Sequence, residues 1–276
     1  MTARSPHYDP AVALEFFKSA GKSERVAQGA TLFAENEKGN RLLLQRDKMY
    51  LLLEGEVSLN AGKQAIGTVG KGEIFGEMAS ISQSPRSATA VAKTACRVIA
   101  LDDKQFRYAL GRKPQFAPML MSIMIARLRE TIGKLYARNA LSGDGPWKES
   151  AAFERKLLDA LVSSLSDDPP VFYDRGKSVI KEGQTGILMY VVVEGRVTVS
   201  IGGSVVERLG PGGVFGEMAL VDPSPRLASA VAETDCSLLP VNRSAFLAMV
   251  GSSPDFAVSM LASLSERLRL LNSRLK

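Results

Sequence analysis

One long stretch of this chain occurs twice. Residues 75–92 read FGEMASISQSPRSATAVA, and residues 215–232 read FGEMALVDPSPRLASAVA. The copies stand 140 residues apart, align without a gap and are identical at most positions. That period is far longer than the roughly 20–50 residues of a solenoid repeat. The sequence therefore predicts two copies of one whole domain.

Each copy combines glycines, one acidic residue and one arginine. Arg86 and Arg226 offer forked, permanently charged donors that suit phosphate oxygens. Glu77 and Glu217, when ionised, only accept hydrogen bonds and so suit hydroxyl groups. The pattern predicts a site for a sugar joined to a phosphate. A surface Glu–Arg ion pair of little energetic consequence is the alternative, and its repetition in the same frame makes it the less favoured one.

Both stretches resemble the phosphate-binding cassette of the cyclic nucleotide-binding domain family. The family pattern is Phe-Gly-Glu-(Leu/Met)-Ala-Leu, four variable residues, Pro-Arg, one variable residue and Ala-(Thr/Ser). Members include protein kinase A regulatory subunits, catabolite activator protein and cyclic nucleotide-gated channels. The resemblance covers about residues 28–137 and 174–275. It implies that each glutamate holds the ribose 2′-hydroxyl and that each arginine pairs with the cyclic phosphate.

The resemblance implies two sites and a lid over each base. The first site would comprise Gly76, Glu77, Met78, Ala79, Arg86, Ser87 and Ala88, and the second Gly216, Glu217, Met218, Ala219, Arg226, Leu227 and Ala228. A helix after each roll would close over the base, and its candidate caps are Tyr136 and Leu268. For Tyr136 the alternative is simple packing against the roll or the linker.

The residue after the arginine differs between the copies, Ser87 against Leu227. Family members selective for cyclic GMP typically carry a threonine here, whose hydroxyl can meet the guanine amino group. Leu227 offers no hydrogen bond, so we expect the second site to prefer cyclic AMP. Ser87 permits either cyclic AMP or cyclic GMP at the first site.

The pattern outside the cassettes predicts the fold. Short apolar runs separated by glycine and polar clusters fill residues 25–101 and 171–239, as in β-sandwiches and barrels, and Glu54-Gly55-Glu56 is typical of a hairpin turn. Helical periods predict helices at 10–20, 102–110, 114–136, 149–165, 243–250 and 254–276. The resemblance implies an eight-stranded jelly roll in each copy. We expect a mainly β chain with flanking helices: two tandem eight-stranded β-rolls, in domains 1–141 and 142–276, with the boundary at the breaker 142–146.

The composition limits the kinds of site that the chain can form. The chain has 276 residues, 45% hydrophobic and 23% charged, with no apolar run of membrane length and no signal-peptide core, which predicts a cytoplasmic protein without a membrane partner. His7 is the only histidine, and Cys96 and Cys236 occupy equivalent positions of the two copies. A zinc site or a Ser/His/Asp triad is therefore not expected. We predict no metal, no cofactor other than the ligand, and no catalysis.

The predicted function is a non-enzymatic cyclic nucleotide receptor. Ligand would move the hinge helices 102–110 and 243–250 and the lids, acting on a protein effector or through a homodimer. A net charge of +6 leaves a nucleic-acid-binding transcriptional regulator as an alternative, although no helix-turn-helix pattern or dense basic run is present. A scaffold that no longer binds nucleotide is the other alternative. The first copy also has extra residues within 36–47, for which covering the site and docking a partner both remain open.

Overall fold

The computed structural model describes residues 8–39, 47–141, 149–165, 168–221 and 224–275. Backbone contacts group the chain into two compact units: Met1–Arg127 with Gly251–Arg269, and Leu128–Val250 with Leu270–Lys276. His7 and the predicted boundary at 142–146 lie outside the described residues, as do residues 40–46 of the extra segment in the first copy.

The first roll contains eight strands. Helix α1 (Pro10–Ala20) precedes it, and the Asp9 carboxylate caps that helix by accepting from two of its first amides. The strands are β1 (Lys22–Val26), β2 (Thr31–Phe33), β3 (Lys48–Glu54), β4 (Val57–Ala61), β5 (Gln64–Val69), β6 (Ile74–Phe75), β7 (Thr89–Ala92) and β8 (Cys96–Asp102). Helix α2 (Glu77–Ser82) lies between β6 and β7.

These strands form two antiparallel sheets around one core. The strand orders are β1-β8-β3-β6 and β2-β7-β4-β5. Their inward side chains, such as Leu52, Val57 and Val98, are fully buried. The prediction of an eight-stranded roll is confirmed here, but the predicted hairpin at Gly55 is wrong. Strands β3 and β4 belong to different sheets, and Gly55, with φ of 92°, takes the chain from one sheet to the other.

Helices α3 (Asp103–Arg112) and α4 (Phe116–Ala137) follow the first roll. Asp102 and Gln105 form a capping box at the start of α3. An aromatic cluster joins α1, α3 and the start of α4: Phe16 stacks on Phe116 with ring centroids 3.7 Å apart and meets Phe106 edge-on at 5.7 Å. Helix α3 and the start of α4 are thereby packed against the helix that precedes the roll.

The second roll repeats the arrangement. The elements in the second half of the chain are β9 (Glu149–Ser150), α5 (Arg155–Ser164), β10 (Val171–Tyr173), β11 (Ser178–Ile180), β12 (Leu188–Glu194), β13 (Val197–Ile201), β14 (Ser204–Leu209), β15 (Val214–Phe215), α6 (Met218–Val221), β16 (Ser229–Ala232), β17 (Cys236–Asn242), α7 (Arg243–Ser252) and α8 (Pro254–Ser273), and most of α8 belongs to the first unit. The sheet orders are β10-β17-β12-β15 and β11-β16-β13-β14-β9.

The leading helix of the second copy is shorter than predicted. Residues 149–154 were expected to be helical, but Glu149 and Ser150 pair in parallel with Arg208 and Leu209 and extend the sheet. The amide of Phe153 then donates to the carbonyl of Gly212. Because these backbone groups bond to the roll, helix α5 begins only at Arg155.

Among the described residues, no single helix is long and apolar enough to cross a membrane, and α7 with α8 meets that length-and-composition test only as a bent pair.

Candidate functional site

The first cassette lies where β6 turns into α2. Gly76 has a left-handed φ of 74°. A Cβ atom there would lie 3.0 Å from Arg86 Nη1 and 3.2 Å from the carbonyl oxygen of Lys48. The conformation and the close approach both require glycine, and they bring the buried carboxylate of Glu77 onto the same turn as the guanidinium contact.

Arg86 is anchored by the backbone. Its Nη1 donates to the carbonyl of Gly76 at 2.8 Å, and its Nη2 donates to the carbonyl of Lys48 at 2.9 Å. The guanidinium carbon lies 4.2 Å from the centroid of the Phe33 ring. With Arg86 only 5% exposed, these contacts hold a buried cation in one orientation.

The remaining edge of Arg86 faces a carboxylate. Nε lies 3.4 Å from Asp47 Oδ1 and makes no hydrogen bond to any described residue. Burial lowers the pKa of the Arg86 guanidinium, and the charge of Asp47 opposes that shift. Two of the five guanidinium N–H groups therefore bond to backbone carbonyls, and a carboxylate stands at the Nε edge.

Glu77 is tied to the helix that follows the roll. The residue is 3% exposed and forms an ion pair with Arg127 on α4, within the first unit. The pair links the carboxylate of the cassette to a residue about fifty positions downstream. The buried carboxylate of the cassette is therefore connected directly to α4.

A turn on the neighbouring loop holds the backbone of each arginine. The amide of Asn36 donates to the carbonyl of Arg86 at 2.9 Å, and the amide of Gly183 donates to the carbonyl of Arg226 at 2.9 Å. Asn36 has φ of 64° and Gly183 has φ of 80°. The first copy has asparagine where the second has glycine, but asparagine tolerates the left-handed region and makes the same contact.

The second cassette repeats the anchoring of the arginine. Arg226 Nη1 donates to the carbonyl of Gly216 at 2.6 Å, and Nη2 donates to the carbonyl of Leu188. Gly216 has φ of 80°, and Glu217 is 3% exposed. Burial lowers the pKa of the Arg226 guanidinium. Gly186 also approaches this side chain, since a Cβ there would lie 2.5 Å from Arg226 Nη2.

The two sites differ beside the arginine. Asp47 precedes the Lys48 carbonyl that binds Arg86, and Ile187 precedes the Leu188 carbonyl that binds Arg226. Ile187 is 80% exposed. The carboxylate that faces the first arginine thus has an apolar residue as its counterpart in the second.

The structure brings most predicted residues of the second site to one cavity. Its lining includes Gly216, Met218, Ala219, Arg226, Leu227 and Ala228. In the first site Glu77, Ala79, Arg86 and Ala88 are buried, Gly76 and Met78 are half-buried, and Ser87 is exposed. No group of His, Cys, Asp and Glu side chains that could hold a metal occurs in the described part of the chain.

The two predicted base caps lie in different units. Tyr136 is 62% exposed and belongs to the second unit, where its ring lies 2.9 Å from the place a Cβ would take on Gly202. Leu268 is 2% exposed and belongs to the first unit. Base capping by either residue stays a prediction.

The cyclic nucleotide-binding domain family matches residues 23–113 and 170–253. The chain belongs to this family. The match in both halves confirms the predicted tandem arrangement of two such domains.

Two curated relatives agree with that assignment. The cAMP-dependent protein kinase regulatory subunit of Eremothecium gossypii is 31% identical over 219 residues, which are 78% of this chain and 43% of the relative. The one of Debaryomyces hansenii is 29% identical over 231 residues, 82% and 46% of the two chains. The chain spans about half the length of these curated relatives. A solved structure of the regulatory domain of Toxoplasma gondii PKA with cAMP has a TM-score of 0.32 and 20% identity, and covers 93% of this chain and 88% of that one.

Proposed function

We propose that this chain is a non-enzymatic receptor that binds one 3′,5′-cyclic nucleotide in each roll. The observation that carries the proposal is the repeated arrangement of Arg86 and Arg226. Each guanidinium is fixed by two backbone carbonyls, on the same turn as a buried glutamate. The family match and the relatives' names, which are those of regulatory subunits, support a receptor rather than a catalyst.

The proposed contacts follow from charge. A cyclic phosphodiester carries one negative charge, which is costly to bury unless a cation meets it. Arg86 and Arg226 supply that cation, and Glu77 and Glu217 accept from the ribose 2′-hydroxyl. Cyclic AMP is the ligand that the relatives' names indicate, and exposed Ser87 also permits cyclic GMP at the first site.

The output of the first site would pass through α4. When a ribose hydroxyl bonds to Glu77, it shares the carboxylate with Arg127 and changes what that pair contributes to α4. Such a ligand acts as a switch only if it binds one state more tightly than the other. The receiving partner would be a protein, and the relatives make a kinase catalytic subunit the first candidate, with a second copy of this chain as the alternative.

Titration calorimetry of the full chain with cyclic AMP tests the proposal. Two sites are expected, with Arg86→Ala removing only the first and Arg226→Ala only the second. Loss of a charged donor from a buried phosphate site costs about 2–5 kcal/mol, or about 30- to several-thousand-fold in affinity. Arg25→Ala and Arg175→Ala, at exposed arginines of the same rolls, are the matched controls. Undiminished binding to the double variant would contradict the assignment.

A further inference from the structure

The two rolls differ at the edge of one sheet. In the second roll β9 covers the edge of β14, because Glu149 and Ser150 pair in parallel with Arg208 and Leu209. The equivalent strand of the first roll is β5, and in the described part of the chain it pairs only with β4. Its Ile66 side chain is 53% exposed. No described residue of the first roll therefore takes the place that β9 has in the second.

The chain that precedes each roll reaches this edge at the same point. The hydroxyl of Tyr8, just before α1, donates to the carbonyl of Gly72. The amide of Phe153, just before α5, donates to the carbonyl of Gly212 at 3.1 Å. Gly72 and Gly212 are equivalent positions of the two copies, each shortly after the edge strand. The residues before Tyr8 thus enter the first roll beside β5, as β9 enters the second beside β14.

The sequence before α1 contains a counterpart of β9. Glu149 stands five residues before Glu154, which is the N-cap of α5, and a serine follows it. Arg4 stands five residues before Asp9, which is the N-cap of α1, and Ser5 follows it. Arg4 and Ser5 lie outside the described residues. The two segments share the serine, and the acidic residue of the second is replaced by a basic one in the first.

The charge beside the two edges is inverted in the same way. In the second roll, Oε1 of Glu149 lies 3.6 Å from Nη1 of Arg196. The first roll has Glu56 at the position equivalent to Arg196, and its half-exposed carboxylate pairs with Lys93 at 2.9 Å. The carboxylate of Glu73 also lies at this edge, where it accepts from the amide directly after β5 at 2.6 Å. The edge that binds an acidic segment carries an arginine, and the other edge carries carboxylates that favour a basic segment.

We propose that the segment with Arg4 and Ser5 docks on the edge of β5 as a parallel strand, with Arg4 beside Glu56. The register of β9 places Arg4 opposite Thr68 and Ser5 opposite Val69. Backbone hydrogen bonds to an edge strand supply the affinity, and the charge pair selects the segment. Docking gives the first roll the five-stranded sheet of the second and holds the start of the chain against the turn before the first cassette. The proposal goes beyond nucleotide binding and does not depend on it.

Disulfide trapping in the full chain tests the docking. The register puts residue 3 opposite Gly67, and paired strand residues lie about 5 Å apart, within the reach of a disulfide. A Cβ at Gly67 would meet nothing within 4 Å. Oxidised Ala3→Cys/Gly67→Cys protein should form the intramolecular disulfide at least about tenfold faster than Ala3→Cys/Gln64→Cys, whose second cysteine lies about 10 Å further along β5. The native Cys96 and Cys236 are buried and stay in both variants.

An exchange of charges tests why this segment is selected. Adding Glu56→Arg to the Ala3→Cys/Gly67→Cys protein brings two cations together and should slow disulfide formation about two- to fivefold. Adding Arg4→Glu as well restores the order of charges of the second roll and should restore the rate. Glu54→Arg is the control, because it changes the net charge equally at an exposed carboxylate that pairs with Arg97. It should leave the rate unchanged.

Several results would overturn the proposal. Equal rates for the cysteine pairs at positions 67 and 64 would show that the segment does not lie along β5 in this register. A disulfide that links two chains, detected as a covalent dimer by mass spectrometry, would assign the edge to a second copy. Equal slowing by Glu56→Arg and Glu54→Arg, or a rate that Arg4→Glu does not restore, would remove the charge pair. Thermal unfolding of each variant shows that the roll remains folded.

Discussion

The two cassettes share their motif but differ in the residues around it. In the first, Arg86 is 5% exposed and faces Asp47, and Glu77 pairs with Arg127. In the second, Arg226 is half-buried, exposed Ile187 stands where the first has Asp47, and Arg129 enters the cavity. Identical glycines, glutamates and arginines thus sit in two different electrostatic settings.

We infer from this difference that the charges around each cassette set how tightly it holds a phosphate. Asp47 partly neutralises Arg86, so a phosphate must compete with a carboxylate at the first site. No equivalent carboxylate precedes the Leu188 carbonyl of the second site, which has Ile187 there. We therefore expect the first site to bind phosphate less tightly for the same set of cassette contacts.

The largest expected effect concerns the Glu77–Arg127 pair. Arg127→Ala leaves a carboxylate that is 3% exposed without its cation, which should lower the free energy of unfolding by about 3 kcal/mol. Urea unfolding of the full chain measures it. Arg107→Ala breaks the exposed pair with Asp255 and should cost less than about 0.5 kcal/mol. If both variants lose the same small amount of unfolding free energy, the pair does not hold the first cassette to α4.

The next largest effect is a loss of affinity at the second site alone. Gly186→Ala places a methyl group 2.5 Å from Arg226 Nη2, so the guanidinium must leave its anchored position. Overpacking of this kind costs about 1–3 kcal/mol, or about 5- to 150-fold in affinity at the second site, while the first site stays unchanged. Calorimetric titration with cyclic AMP measures the affinities of the two sites separately. Gly67→Ala, where a Cβ would meet nothing within 4 Å, is the control, and an equal affinity for both variants would refute the crowding argument.

A smaller effect is expected when a carboxylate is removed beside Arg86 or introduced beside Arg226. Asp47→Asn removes the charge that competes for Arg86 and should tighten nucleotide binding at the first site by about 1 kcal/mol, or about fivefold. Ile187→Asp should weaken the second site by a similar factor. Titrations of both variants with cyclic AMP show whether affinity rises at the first site and falls at the second. Weaker binding by Asp47→Asn would mean that Asp47 orients Arg86 rather than competing for it.

The smallest effect concerns the turns that hold the arginines. Gly183→Asn should change the free energy of unfolding by less than about 0.5 kcal/mol, because asparagine already occupies this left-handed position at Asn36. Gly183→Ala should cost about 1 kcal/mol, because alanine tolerates that region poorly. Thermal unfolding of both variants compares them. A cost for asparagine as large as that for alanine would show that the two turns are not interchangeable.

The features that the sequence predicted correctly depend mostly on local sequence signals. The cassettes, their glycines and the hinge helix after Asp102 are specified within a few residues, so the repeat and the periodicity were sufficient to find them. The start of α5 was misplaced because Glu149 and Ser150 bond to β14, a partner about sixty residues away. Asp47, Gly186 and the pairing of Arg127 with Glu77 were missed for the same reason. Their roles depend on which carbonyl or carboxylate the fold brings beside each arginine or glutamate, and no local pattern records that.

The most direct test of the central claim is a crystal structure of the full chain with saturating cyclic AMP. We predict a nucleotide in both rolls, with a phosphate oxygen at hydrogen-bonding distance, about 3 Å, from the guanidinium group of Arg86 and of Arg226. Two empty rolls, or a nucleotide whose phosphate lies away from both guanidinium groups, would contradict it.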